Sequence, residues 1–274
     1  MYVVSCRKDF TSDQKLASDN LVRNYTNPHD PNVFQDMTMD QLVEKAANRH
    51  VCILVHGYRC PMENVMASYW ELVTSMSAEA VAGTSGYGLV VGFAWPGRTT
   101  SVGYFVAPMN ARAAGPRLLS LINALRGAAH TVDVQTHSLG ARVALTALRD
   151  SKKVFVDNLL LSAPAVDHNL LEPDKDFCAA LNSCNRCFVY HSRNDRVLRL
   201  SYPLADISGG LKRALGLRGP RSKAVTLSNC PNAYVVDCAT RVKDHGGYRK
   251  TPYYYQHWRR VLSGEAMSRY DELS

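Results

Sequence analysis

The sequence predicts an α/β fold in which a mostly parallel sheet carries helices on both faces. Continuous apolar runs at residues 51–55 and 88–95 are typical of strands that are buried on both sides. A helix-prone segment follows each run, and this alternation repeats along the chain, as in sheets whose strands are joined by crossover helices. Ligands bind such sheets at the carboxyl ends of the strands. Residues that directly follow the predicted strands are therefore the candidates for a functional site.

The elements are predicted in order from the apolar pattern and from the residues that end it. Thr38 is a candidate N-cap for a helix, and Pro96-Gly97 ends a strand. The predicted strands are residues 2–5, 51–55, 88–95, a run containing Val132 and Val134, strands within 158–167 and 187–195, and 234–238. The predicted helices are residues 39–48, 61–81, 104–126, 141–149 and a terminal helix around 253–258.

The length of 274 residues is enough for one full core, and we expect a single domain over residues 1–274 with an N-terminal extension at about 1–50. A hydrophobic share of 46% and a charged share of 20% are ordinary for a soluble globular protein. The N-terminus lacks the apolar core of a signal peptide, and no apolar run reaches transmembrane length. The prediction is a cytoplasmic protein, with export left open and the oligomeric state unknown.

The eight cysteines lie mostly in strand-like or mixed contexts, and most are predicted to be reduced thiols. Cys184 and Cys187 have CxxC spacing, but no second pair completes a zinc site. Cys230 and Cys238 remain able to pair if the protein is exported. No metal and no organic cofactor are expected.

The net charge of +8 indicates a preference for anionic surfaces, although no nucleic-acid motif accompanies it and no nucleic-acid partner is expected. A segment at about 198–225 is basic and is interrupted by Gly-Gly and Gly-Pro pairs. Its cations include Lys212, Arg213, Arg218, Arg221 and Lys223. The segment is interpreted as a basic lid or rim, or as a solvated surface loop, so contact with an anionic surface stays open.

Residues 132–145 have the layout of a nucleophile elbow, which is a β-prone run, a tight turn and a helix-prone segment. Ser138 stands at the apex, where the turn lifts its hydroxyl clear of the backbone. The turn also places the Leu139 N–H at a helix N-terminus, where it stabilises a developing oxyanion. Thr136 replaces the first glycine of the usual G-x-S-x-G pattern. A serine that only caps a helix is the alternative interpretation.

An HG pair directly after the buried strand at 51–55 indicates an oxyanion loop. Gly57 allows the backbone to turn sharply, so that the Tyr58 N–H can face the nucleophile. His56 lies at the root of the loop and is interpreted as a histidine bonded to the backbone, not as the catalytic base. Tyr58 and Arg59 are candidates for substrate contact.

A serine nucleophile in this architecture is followed along the chain by an acid and then by a histidine. Asp195 follows a predicted strand, where an acid can orient an imidazole, and Asp167, one strand earlier, is the alternative. His245 lies in a glycine-containing loop and is favoured over His257, which is predicted to lie on the terminal helix. His137 is set aside because its side chain is expected to point away from the neighbouring nucleophile.

Together these motifs resemble the α/β-hydrolases, and among them a little-characterised group of bacterial serine hydrolases. That group has an HGF or HGY loop, a strand ending in WP and an HS-[ML]-G elbow. The matching residues are 56–58, 93–96, Tyr104, 136–143, 163–167 and 190–198, within the span of about 50 to 250. The resemblance implies an esterase- or lipase-like hydrolase with Ser138 as nucleophile, Asp195 as acid and His245 as base. Thr136 and the basic segment depart from the pattern and leave the substrate open.

The predicted reaction is hydrolysis of a small carboxylic ester through an acyl-enzyme intermediate. Acyl transfer to an alcohol and thioester hydrolysis use the same residues, and the sequence does not separate these reactions. A non-catalytic binding protein on a hydrolase scaffold is the alternative from another class.

Overall fold

A computed structural model describes residues 1–27, 30, 32–83, 86–97, 107–149, 151, 153, 156–202 and 213–274. The strands in this part of the chain are β1 (Tyr2–Arg7), β2 (Leu16–Tyr25), β3 (Phe34–Met37), β4 (His50–Val55), β5 (Leu89–Ala94), β6 (Thr131–His137), β7 (Val156–Ser162), β8 (Cys184–His191), β9 (Ala233–Asp237) and β10 (Tyr270–Glu272). The helices are α1 (Met39–Ala46), α2 (Met62–Ala78), α3 (Ala107–Arg126), α4 (Gly140–Arg149), α5 (Arg196–Leu200), α6 (Leu215–Arg218), α7 (Lys223–Asn229) and α8 (Pro252–Leu262).

The described strands form one sheet in the order β10-β9-β8-β7-β6-β4-β5-β1-β2-β3. Every neighbouring pair from β10 to β1 is parallel, and only the pairs β1–β2 and β2–β3 are antiparallel. The chain leaves β5 and crosses β4 to form β6, so the strand order reverses between β4 and β6. The carboxyl ends of these two strands therefore border the crevice where ligands bind in open parallel sheets.

Helices cover the apolar strands in two groups. α3 contacts both α1 and α4, whereas α2 and α8 contact each other. This double cover explains why residues 51–55 of β4 are buried without alternation. The predicted fold class, a mostly parallel sheet with helices on both faces, is confirmed.

The start of α1 confirms the predicted cap. The Thr38 hydroxyl accepts the Gln41 N–H at 3.2 Å, and the Gln41 side chain accepts the Thr38 N–H at 2.9 Å. This reciprocal pair is a capping box, which satisfies two backbone donors that would otherwise lack partners. The observed helix ends two residues earlier than the predicted one, because Ala47 takes a non-helical ψ of 122° and Asn48 a φ of +57°.

The first 50 residues are more regular than the sequence indicated. The predicted strand at 2–5 extends to Arg7, and β2 and β3 add two strands that the sequence analysis missed. Both lie at the outer end of the sheet, where β3 is largely solvent-exposed and most of β2 is exposed or only partly buried, so they lack the continuous apolar run that marks the central strands. The segment treated as an extension thus belongs to the main sheet.

The basic segment at 198–225 contains α6 and the start of α7, whereas residues 203–212, including Lys212, lie outside the described residues. Tyr104 and the predicted start of the helix at 104–126 also lie outside them. The short strand β10 was not predicted. None of the helices in the described ranges combines the length and the apolar character needed to cross a membrane.

Candidate active site

Ser138 stands in a sharp turn between β6 and α4. Its φ is +56°, a left-handed conformation that is costly for a residue with a side chain. Backbone hydrogen bonds hold it there, because the Ser138 N–H donates to the Ser162 carbonyl at 2.9 Å and the Ser138 carbonyl accepts the Ala165 N–H at 3.0 Å. The turn therefore rests on β7 and its exit loop. A strained serine that neighbouring strands hold in place is typical of a nucleophile elbow.

Two glycines allow the loop after β4 to touch this turn. A Cβ on Gly57 would lie 2.9 Å from the Ser138 Cβ, and a Cβ on Gly140 would lie 2.5 Å from the His56 carbonyl oxygen. Real Cβ atoms do not approach other atoms so closely. The loop at 56–58 therefore lies directly against Ser138 because both contact positions lack a side chain.

Asp195 and His245 form a direct pair. The Asp195 Oδ2 lies 2.6 Å from the His245 Nδ1, and the Asp195 side chain has no exposed area. The other carboxylate oxygen accepts the Leu198 N–H at 2.9 Å, which makes Asp195 the N-cap of α5. A carboxylate acceptor at Nδ1 favours the tautomer with the proton on Nδ1, which leaves Nε2 as the basic nitrogen of a neutral ring.

Ser138 and His245 line one cleft of about 140 Å³. No hydrogen bond joins the Ser138 hydroxyl to His245 in the described part of the chain, a looseness that such pairs often show before a substrate binds. Tyr58 lines the same cleft. The Leu139 N–H finds no acceptor among the described residues, so this donor at the start of α4 is available to a ligand.

A family comparison agrees with this architecture. Residues 33–229 match the model of a family described as alpha/beta hydrolase of unknown function, DUF900. The chain belongs to this family. No curated protein matches the chain. His245 lies outside the matched span.

His56 shapes the loop of the α/β-hydrolase, as predicted. Its Nε2 accepts the Trp95 N–H at 3.1 Å, so Nδ1 carries the proton and donates to the Gly57 carbonyl at 2.8 Å. The ring stacks on Trp95 at a centroid distance of 5.5 Å. Burial and the nearby Arg7 charge hold the pKa of His56 well below its usual value. The ring stays neutral and bonded to the backbone, which confirms the interpretation of His56 as a structural residue.

Arg7 is a contributor that the sequence analysis missed. This fully buried side chain donates from Nε to the Trp95 carbonyl at 2.9 Å and from Nη2 to the Cys60 carbonyl at 2.8 Å. Its Nη2 also lies 3.2 Å from the His56 Nε2. One guanidinium thus ties the end of β5 to both ends of the loop that touches Ser138. No local signal marks Arg7, because its partners lie far away in the sequence.

The position of the His137 side chain differs from the prediction. Its side chain was expected to point away from the site, but it lines the same cleft as Ser138. Its Nε2 lies 2.8 Å from the His245 carbonyl oxygen, so it carries the proton and donates to that backbone. Burial, followed by the neighbouring His245, lowers the pKa of His137 to about 3. A neutral donor is therefore available to hold the loop that carries His245.

The two alternative residues lie elsewhere. Asp167 accepts the Tyr202 hydroxyl at 2.6 Å and pairs through its backbone with Ala214. His257 is buried on α8 with its Nδ1 3.1 Å from the Tyr190 hydroxyl. Neither residue lines the cleft that holds Ser138 and His245.

All eight cysteines lie in the described ranges, and all are free thiols, including Cys230 and Cys238. Cys184 and Cys187 lie on β8, and both are buried. The described residues contain no group of three or more His, Cys, Asp or Glu side chains that could hold a metal ion.

Proposed function

We propose that this α/β-hydrolase is a serine esterase that cleaves carboxylic esters through Ser138, His245 and Asp195. The observation that carries the proposal is the 2.6 Å contact between the buried Asp195 carboxylate and a His245 ring that shares a cleft with Ser138. A nucleophile, an orienting acid and a base, in this order along the chain, are what acyl transfer by serine on this fold requires.

In the first step, the His245 Nε2 takes the proton of the Ser138 hydroxyl, and the oxygen attacks the ester carbonyl carbon. A tetrahedral intermediate forms, and its collapse breaks the ester bond and leaves an acyl group on Ser138. The protonated His245 donates its proton to the departing alkoxide, which leaves as the alcohol. Asp195 keeps Nδ1 protonated and stabilises the positive imidazolium.

In the second step, His245 takes a proton from a water that attacks the acyl-serine. The tetrahedral intermediate collapses, the bond to the Ser138 oxygen breaks and the acid product leaves, while the protonated His245 returns the proton to the Ser138 oxygen. In both steps the carbonyl oxygen becomes an oxyanion, for which the Tyr58 and Leu139 N–H groups are the proposed donors. The contact between the Gly57 loop and Ser138 supports this assignment. The proposed steps use neither a metal nor an organic cofactor.

The cleft favours small substrates. Its volume of about 140 Å³ is well below the roughly 300–1,000 Å³ of pockets that hold drug-sized ligands. Val55 and Leu72 supply apolar lining for an acyl chain. Esters with short acyl groups are therefore the expected substrates.

The decisive experiment is labelling with a fluorophosphonate probe, which reacts only with activated serines. Wild type is expected to react, and Ser138→Ala is expected to lose both labelling and ester turnover, by a factor on the order of 10⁴–10⁶ in kcat. Ser68→Ala is the matched control, because Ser68 lines the same cleft but lacks a proposed role in the chemistry. Turnover is then measured on p-nitrophenyl esters of increasing chain length, with the highest rates expected for short chains.

Two results contradict the proposal. Near-normal labelling and turnover in Ser138→Ala would exclude Ser138 as the nucleophile. A folded wild-type protein that neither reacts nor turns over any ester would favour the binding-protein alternative.

A further inference from the structure

The short helix α5 has an outer face that mixes exposed apolar and cationic side chains. Leu198 is 2% exposed and points into the protein, whereas Val197 is 48% and Leu200 is 66% exposed. Successive residues of an α-helix are about 100° apart, so the other four residues of α5 lie on the half of the helix opposite Leu198. Arg196 and Leu200 lie at the centre of this outward half.

Cationic side chains accompany the exposed apolar side chains of Val197 and Leu200. Arg193, Arg196 and Arg199 are all exposed, and together with Val197 and Leu200 they form what we call the α5 surface. Within residues 193–202, all of which are described, Asp195 is the one carboxylate, and it is buried against His245. The positive charge of this surface therefore has no acidic side chain within its own segment to neutralise it.

The neighbouring segment extends the positive charge. α6 packs against α5, and its last residue, Arg218, is exposed. Arg213 is exposed directly before α6, whereas Arg221 is paired with Glu172 at 2.8 Å. Arg213 and Arg218 therefore add two exposed cations beside the α5 surface.

We propose that the α5 surface docks on an anionic lipid surface and so holds the Ser138 cleft at the membrane interface. Anionic headgroups attract the arginines, and the boundary between headgroups and acyl chains accepts Val197 and Leu200. A nucleic-acid backbone complements the arginines alone and leaves the two apolar side chains in water, so the mixed character of the surface favours lipid. The N-cap of α5, Asp195, contacts His245, which lines the cleft, so docking places the interface beside the cleft.

The test is co-sedimentation with vesicles of phosphatidylcholine and with vesicles of phosphatidylcholine and phosphatidylglycerol in equal amounts. The protein carries Ser138→Ala, so that binding is measured without any lipid turnover. Binding to the anionic vesicles alone is expected, and it should weaken as salt is added. Arg196→Gln with Arg199→Gln should weaken binding by about 25-fold, since each arginine near the surface contributes roughly fivefold. Val197→Ser with Leu200→Ser should weaken it by about tenfold.

The matched control is Lys45→Gln with Arg259→Gln, which removes the same charge from exposed positions on α1 and α8 and should bind as the parent does. Equal binding to both vesicle types, no binding to either, or unchanged binding by the two α5 variants would overturn the proposal. So would binding to duplex DNA without binding to vesicles, with the DNA binding lost in the arginine variant.

Turnover of soluble p-nitrophenyl butyrate separates this inference from the proposed function. With Ser138 present, both α5 variants should hydrolyse this ester as the wild type does, because neither pair of residues lines the cleft. If the esterase assignment is wrong, neither the wild type nor any variant hydrolyses the ester, whereas binding to vesicles in the sedimentation assay is unchanged.

Discussion

At the scale of single residues, the contacts around Arg7 have the clearest consequence for the proposed chemistry. The planar guanidinium donates in two directions at once, to the Trp95 and Cys60 carbonyls. Lysine carries a compact ammonium that does not reproduce this fork. Because Cys60 ends the loop that carries Tyr58, the position of one proposed oxyanion donor depends on a side chain more than 50 residues away.

Arg7→Lys should therefore lower kcat by about 10–100-fold with little change in KM, since a displaced donor acts on the transition state and not on substrate binding. Steady-state kinetics on a short ester measure both constants. Arg23→Lys, on the neighbouring strand β2, is the control and should leave both unchanged. Wild-type kcat in a folded Arg7→Lys protein would show that Arg7 supports the fold alone.

At the scale of elements, the site depends on the contact between the loop after β4 and the start of α4. Gly140 is the first residue of α4 and packs directly against backbone carbonyl groups. A side chain does not fit there, because an added Cβ would lie 2.5 Å from the His56 oxygen and 2.6 Å from the Val55 oxygen. These are backbone atoms of a central strand and do not move aside readily. The elbow and the oxyanion loop are therefore one packed unit.

Gly140→Ala should reduce ester turnover by at least tenfold and lower the free energy of unfolding by about 1–3 kcal/mol, the usual cost of overpacking. Gly127→Ala is the control, because a Cβ there meets its nearest atom at 3.7 Å. That variant should stay within about 1 kcal/mol of wild type in urea unfolding. If Gly140→Ala matched Gly127→Ala in both measurements, the tight contact would be irrelevant to the site.

At the scale of the whole molecule, several buried histidines link stability to pH. Burial lowers the pKa of His191 to about 4, with Asp237 opposing and Lys223 adding to the shift. Neither ring nitrogen of His191 has a hydrogen-bond partner in the described part of the chain. Burial also lowers the pKa of His257 to about 4. In the unfolded chain these groups take up protons near the ordinary value of 6.5.

Between pH 6.5 and 4 the unfolded state therefore binds more protons than the folded state, so the free energy of unfolding falls as the pH falls. Each such histidine contributes a slope of up to about 1.4 kcal/mol per pH unit. His191→Leu should flatten this loss, and urea unfolding of wild type and variant at pH 7 and pH 5 measures it. His50→Leu, at an exposed histidine, is the control. An equal loss in wild type and His191→Leu would contradict the assignment.

Much of the fold was predictable because its signals are local. The apolar runs of β4 and β5, the Thr38 cap and the turn at Ser138 each depend on a few adjacent residues. The same holds for the loop that ends in Asp195. The strands β2 and β3 were harder to predict, because they carry polar side chains. They form by pairing at the outer end of the sheet, β2 with β1 and β3 with β2.

The sequence by itself determined the central strands and the helices that follow them, the residue types available for chemistry, and the positions of Ser138 and Asp195 after strands. The tertiary structure alone decided that Asp195, and not Asp167, contacts His245, that His137 turns into the cleft, and that Arg7 anchors the loop beside Ser138. The physical reason is the distance in sequence between the interacting residues. Turns and strands form from interactions between near neighbours, whereas these contacts join residues that come together only after the sheet has closed around its core.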